Sequence, residues 1–242
     1  MFKLIHGEIY RILHKKSMYI YFCALAAGYF IVSFIRSGGF TEGSAASDAM
    51  SMFSLLPALA GGFLFAAIFT DDLNSKNLIT LVGYGVNKAA IIIAKFILMV
   101  ISGIIIFGLA PLYHCAVYAL LGHAAAAGML GPIFAVSLKY LLMTLAFSAL
   151  SGIVVYGLQR ATFAIVTYLL LAFGVIGSLI SLALHTFAPG LTAYLASGIT
   201  DRILSGIIRG DSLTAPVIEL IVYVLVALAL SAAAFFRREM EF

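Results

Sequence analysis

Ser17–Ile35 reads SMYIYFCALAAGYFIVSFI, an uncharged run closed by Lys16 on one side and Arg36 on the other. A helix crossing the hydrocarbon of a bilayer needs about 20 consecutive, mostly apolar residues. This run is long enough to cross, and the pattern recurs five more times along the chain. Helix 2 is expected from about Phe53 to Thr70, carrying Pro57 and the pair Gly61-Gly62, and helix 3 from near Ala89 to about Pro111. Helix 4 follows Gly131-Pro132 and runs to about Leu158. Helix 5 covers Thr162 to Leu184 without a charge, and helix 6 follows Pro216 and ends at Phe236.

Composition agrees with that reading. Hydrophobic residues make up 64% of the 242 residues and charged residues 10%, with a mean hydropathy of +1.15. A soluble domain carries roughly a quarter charged residues, so lipid is the solvent for most of this chain. The formal charge of +4 does not indicate nucleic acid, because the cations sit beside the apolar runs, where they act as an orientation signal. Cys23 and Cys115 fall inside apolar stretches and read as small buried hydrophobes, not as a disulfide framework. The apolar run after Lys16 exceeds a signal-peptide core, and we read it as retained.

Lys and Arg in the connecting segments set the orientation. One side receives Lys3, Arg11, Lys15, Lys16, Lys76, Lys88, Arg160, Arg237 and Arg238, and the other Arg36, Arg202 and Arg209. That bias places both termini in the cytoplasm, consistent with six spans. The first sixteen residues are amphipathic: Met1, Phe2, Ile5, Ile9, Ile12 and Leu13 share one arc of a helix, and Lys3, His6, Glu8, Arg11, His14 and Lys15 the other. A basic amphipathic helix of this kind is expected in the plane of the cytoplasmic interface. The fold expected is thus an all-α membrane protein: an interfacial helix over 1–16, then a six-helix transmembrane domain over 17–242.

The connections on the outer side differ. Arg36 to Met52 is rich in Gly, Ser and Ala. Tyr113 to Leu130 is apolar and Ala-rich, and reads either as an extension of helix 3 or as a re-entrant or interfacial piece. Within 185–215, Ile199, Ile203, Leu204 and Ile207 recur at helical spacing and predict a short amphipathic helix outside the membrane.

Catalytic chemistry is hard to find. Gly83-Tyr84-Gly85-Val86-Asn87-Lys88 lacks the spacing and the ending of a nucleotide-binding loop. His6, His14, His114, His123 and His185 form no metal-ligand pattern, and the last three read as polar residues near the outer face. There is no nucleophile elbow, no pair of carboxylates within a span and no Cys-His constellation. No catalytic residue, metal site or cofactor is therefore expected in this chain. Small residues cluster at Ala60, Gly61 and Gly62, at Ser148, Gly152 and Gly157, and at Gly174, Gly177 and Ser178, which permits close helix approach in lipid.

Two charges sit inside apolar helices. Lys95 lies about 10 Å beyond Lys88 at the helical rise, and Lys139 is at a comparable depth from the other edge. Snorkelling to the headgroups is the simpler expectation for both. A sharper one pairs Lys139 with Glu219, which sits at a similar depth near the start of helix 6, so that neither charge faces lipid alone.

The connection over 71–88 is the longest on the cytoplasmic side. Thr70 or Asp71 is expected to cap a short helix whose first turn carries Asp71 and Asp72. Leu73, Asn77, Leu78 and Leu81 follow as one stripe, with Asn74 and Lys76 on its polar rim, and Gly83 and Gly85 end it. Such a helix held beneath a bilayer is a docking element for a cytosolic partner.

At this point the chain resembles the permease subunits of ABC-2 type exporters. The resemblance rests on Glu8-x-x-Arg11 followed by Lys15-Lys16 and six spans. It rests also on the helix 2–3 loop with Asp71-Asp72, Gly85-x-Asn87-Lys88 and Lys95-Phe96, and on the outer helical segment between helices 5 and 6. Many members carry an Arg where Asn87-Lys88 stands here. The chain is most similar to short permeases of bacteriocin or lantibiotic immunity transporters and amphipathic-peptide exporters. The resemblance implies a multi-pass protein of a bacterial cytoplasmic membrane. It implies two copies of a cytosolic ATPase that bind ATP and Mg, and a second permease, identical or related. It implies cargo that is an amphipathic or antimicrobial peptide or a lipid-like molecule. It makes Asp71, Asp72, Leu73, Asn74, Lys76, Asn77, Leu78 and Leu81 the coupling contact, braced by Phe2, Ile5, Glu8, Ile9, Arg11 and Ile12. A membrane sensor or scaffold of a peptide-resistance complex, transporting nothing, is the alternative reading.

Overall fold

The computed structural model describes residues 2–36, 45–74, 82–123 and 130–237, and every regular element among them is helical. Five helices are long and apolar enough to cross a membrane, and a bent pair makes a sixth if it counts as one span. The chain is a multi-pass membrane protein.

The short helix α1 (Phe2–Leu13) leads into α2 (Lys16–Arg36). The second span, Ser47–Thr70, is not a uniform helix. It begins as α3 (Ala45–Phe53), widens into a π-helical turn at Pro57–Gly61, recovers as α4 (Gly62–Phe65) and widens again at Ala66–Thr70. It then runs without a break into α5 (Asp71–Asn74). Proline lacks an N–H and cannot donate back along the helix, so the first widening begins where Pro57 leaves the ladder incomplete. Gly61 sits against the helix Ala161–Ala172: a Cβ there would lie 2.3 Å from the Tyr168 hydroxyl, so only glycine fits. Tyr168 Oη donates to the Pro57 carbonyl at 2.8 Å, closing the contact.

α6 (Lys88–Leu120) continues nine residues beyond the expected end at Pro111. The extension reading of the segment after Tyr113 is therefore right as far as Leu120. Pro111 leaves the Phe107 carbonyl without its intrahelical donor, and Ser137 Oγ of α7 donates to that carbonyl instead. The proline is thus satisfied by a neighbouring helix and does not end its own. α7 (Leu130–Leu158) is the central element, packed against α6, α3 and three of the helices that follow it.

Helix 5 was expected to be continuous, and it is not. α8 (Ala161–Ala172) stops at Phe173, Gly174 takes the left-handed conformation with φ 76°, and α9 (Val175–Phe187) leaves at 60° to α8. The Phe173 and Gly174 N–H groups bond back to Leu169 and Leu171, the usual satisfaction of a helix end closed by glycine. A turn of 3-10 helix (Pro189–Tyr194) follows, then α10 (Ala196–Arg209) and α11 (Thr214–Arg237). The helix predicted from Ile199, Ile203, Leu204 and Ile207 exists as α10, and it packs against the bundle. Ile199, Ile203 and Leu204 are buried, and the helix packs along α7 and α11. Its apolar stripe found a protein surface to cover.

Candidate functional site

Two clusters of charge occupy opposite ends of the bundle. The first gathers where α1 crosses the end of the second span. The N–H of Asp71 reaches back to Ala66, five residues away, and passes over Ala67. The Ala67 carbonyl accepts from Arg11 Nη2 at 3.5 Å, and the neighbouring Ile68 carbonyl accepts from Lys95 Nζ at 2.7 Å. Glu8 lies between the two cations, 2.6 Å from Arg11 and 3.5 Å from Lys95. One turn further along, Lys15 pairs with Asp71. Ile12 is buried and Ile9 packs against the same core, so the apolar face of α1 holds these charges in register.

The π-helical geometry at Ala66–Thr70 thus has a direct consequence. A widened turn turns main-chain carbonyls away from their ordinary donors, and two cations from other helices take them up. Lys95 was expected to snorkel. It is 2% exposed and does the opposite, spending its ammonium on a carbonyl and a carboxylate inside the bundle.

The structure places Glu8, Arg11, Ile9, Ile12, Lys15 and Asp71 together, and Leu73 packs against the core beside them. Ile5 is half-buried on the same helix. The expected cap at Thr70 or Asp71 is absent: the helix passes straight through both, and Thr70 Oγ1 bonds back to Ala66 at 2.8 Å. Lys76, Asn77, Leu78 and Leu81 lie outside the described residues, as do the side chains of Asp72, Asn74 and Phe2. Where the chain returns, Gly85 takes φ 77°, and Asn87 caps α6 by accepting from the Ala89 N–H at 2.9 Å. Lys88 then donates to the Phe235 carbonyl at 3.0 Å, fastening the start of α6 to the end of α11.

The second cluster lies at the far end. Lys139 and Glu219 do not pair. Lys139 Nζ lies 2.6 Å from Asp201, and Glu219 pairs with Arg202. The cause is the position of α10. Consecutive residues on a helix point about 100° apart, so Asp201 faces α7 while Arg202 faces α11, and each takes the charge it meets. Depth alone would join Lys139 to Glu219; the acid that α10 brings to Lys139 is Asp201. Arg202 also lies over the Tyr194 ring and donates to the Ala193 carbonyl at 3.1 Å. Lys139 does not snorkel either; its other neighbour is the Tyr140 ring.

Sequence reasoning missed a third group near that end. His114 was read as an interfacial polar residue, yet it is fully buried, bonded through Nδ1 to the Tyr29 hydroxyl. Beside it Tyr118 donates to Asp48, and Asp48 pairs with Arg36 at 2.9 Å. These contacts tie α2, α3 and α6 together. The one signal for them was the i, i+4 spacing of His114 with Tyr118, which a helix places on one face. Among the described residues no group of His, Cys, Asp and Glu is placed to hold a metal ion.

No family model matches this chain, and no curated protein is similar to it.

Proposed function

We propose that this chain is the membrane-embedded permease subunit of an ATP-driven exporter of the ABC-2 type, resident in a bacterial cytoplasmic membrane with both termini in the cytoplasm. In this reading the bent pair α8–α9 completes a sixth crossing. ATP and Mg bind to two copies of a separate cytosolic ATPase, a second permease chain of the same or related sequence completes the pathway, and the cargo is an amphipathic peptide or a lipid-like molecule.

The observation that carries the reading is the grip of α1 on the end of the second span. The segment 71–88 joins two spans at the end where α1 lies, and the last turn before it is held by Arg11, Lys95 and Glu8, with Lys15 on Asp71. A push on that segment from a cytosolic subunit would pass into the Ser47–Thr70 span and into α6 together. The two π-helical turns give that span places to yield without losing its hydrogen bonds. α1 acts as the lateral brace.

The test is affinity purification of the chain in mild detergent, with mass spectrometry of what accompanies it, repeated with Leu73, Leu78 and Leu81 changed to Asp. An ATPase retained by the native chain and lost by the variant is the expected result. A native chain that emerges without any ATPase, even after crosslinking in cells, defeats the reading.

A further inference from the structure

The far end of the bundle contains a cavity of about 440 Å³, walled by α7, by the break between α8 and α9, and by the start of α10. That volume falls within the range of about 300–1,000 Å³ usual for small-molecule sites. Its walls are mainly apolar, with Met143, Phe147, Leu171 and Tyr223 among them, and Ser178, Ser181, Thr192 and Ser197 supply hydroxyls. Irregular backbone at membrane depth persists where it lines a cavity or is covered by protein. The break at Gly174 is of the first kind, since Gly174 and Gly177 both border the cavity.

One charged side chain borders it, Asp201. The Lys139–Asp201 pair is lopsided: the lysine side chain is 10% exposed and the aspartate 59%. The base is therefore packed behind the acid, and the cavity meets the acid. Lys139 is also not wholly dependent on Asp201, because its ammonium lies 5.1 Å from the centre of the Tyr140 ring. A cation over an aromatic face retains part of its stabilisation when a carboxylate turns elsewhere.

We propose that this cavity is a binding site for an amphiphile bearing an ammonium group, the cation on Asp201 and the apolar body against Phe147, Leu171 and Tyr223. The site has room for an extended tail. A second cavity of about 460 Å³ shares Leu150 and the Tyr223 wall and opens along α11 past Val226 to Leu230. Lys139 is then the resident competitor: it occupies the carboxylate when the cavity is empty and cedes it to the ligand. The site belongs to the chain alone and goes beyond the exporter reading. No ATPase takes part in its test, so the failure of either idea is visible without the other.

The probe is decylammonium, with decanol as the uncharged control of the same tail. The full chain is held in phosphatidylcholine nanodiscs, and affinities are read from the rise of the melting temperature with ligand concentration. Lys139→Met, in which the carboxylate is free, should bind decylammonium about tenfold or more tightly than decanol, the advantage of one charge-assisted hydrogen bond. The native chain should prefer decylammonium by less, because Lys139 has to be displaced first, and the two chains should bind decanol alike. Asp201→Asn alone strands a buried lysine and risks the fold, so the decisive variant is the double change Lys139→Met with Asp201→Asn, which keeps the cavity and removes both charges. It should bind the two probes equally. The proposal is overturned if Lys139→Met treats the probes alike, if it binds decylammonium more weakly than the native chain does, or if the double variant still prefers the cation.

Discussion

The two ends of this bundle hold their most buried lysines differently, Lys95 on a main-chain carbonyl and Lys139 on a carboxylate. Where α1 meets the second span, Lys95 and Arg11 share one carboxylate, and main-chain carbonyls accept from both. At the far end Lys139 has Asp201 and Arg202 has Glu219, and of these two cations Arg202 also reaches a carbonyl, that of Ala193. Cations bonded to carbonyls hold backbone, and backbone cannot leave without unfolding. Cations bonded to carboxylates hold side chains, which can exchange partners. On the readings proposed above, the first end transmits a displacement and the second is opened by something that competes for a charge. A chain proposed to couple a cytosolic push to an outward-facing site needs both, in that order along the path.

The largest effect that would break this comparison comes from Asp201→Ala. It leaves the Lys139 ammonium buried with only the Tyr140 ring beside it. Stranding one partner of a buried pair costs about 3 kcal/mol or more. The reverse change, Lys139→Met, leaves a carboxylate that is already more than half exposed, and should cost under about 1 kcal/mol. Unfolding midpoints in mixed micelles distinguish the two. Equal costs would mean that the acid is as buried as the base, and the far end would lose its exchangeable character.

The other end should respond in the inverse sense. Lys95→Met removes a donor from the Ile68 carbonyl and a neighbour from Glu8, while Arg11 still satisfies Glu8. An unsatisfied buried acceptor costs about 1–3 kcal/mol, and we expect about 2 from the same micelle titrations. Hydrogen exchange at Thr70 and Asp71 should rise with it, because the loss is local to the second π-helical turn. Exchange that increases evenly over the whole bundle would show that Lys95 is ordinary core and grips nothing in particular.

Much of this was legible in the sequence, and the illegible part has a common cause. The spans declare themselves because lipid admits few charges, and Gly85 marks a turn whose chemistry is local. The α10 stripe of Ile199, Ile203 and Leu204 was visible too, because amphipathic periodicity is local. What it packs against is not local. Both faces of a membrane helix are apolar, so the sequence does not say whether a stripe meets lipid, headgroups or protein. The mistaken Lys139–Glu219 pair follows from that one ambiguity. So does the mistaken reading of His114, whose burial depends on α2 and α3 arriving beside it.

The smallest effect concerns the bend at Gly174, which the sequence hid for a different reason. Glycines within spans commonly serve packing, and Gly61 does so here, hard against Tyr168. Gly174 has open space around the position of a Cβ, so it is there for its φ of 76° and not for a close neighbour. Gly174→Ala should therefore cost about 1 kcal/mol through backbone strain alone, with no steric clash to relieve. Because α8 and α9 diverge only at this residue, the strain also favours straightening the pair. A spin-label distance between Ala161 and Ser181, each changed to Cys in a chain with Cys23 and Cys115 replaced by Ala, reads the bend directly. The distance should lengthen in Gly174→Ala. An unchanged distance with an unchanged midpoint would mean that the walls of the cavity, and not the glycine, hold the helix bent.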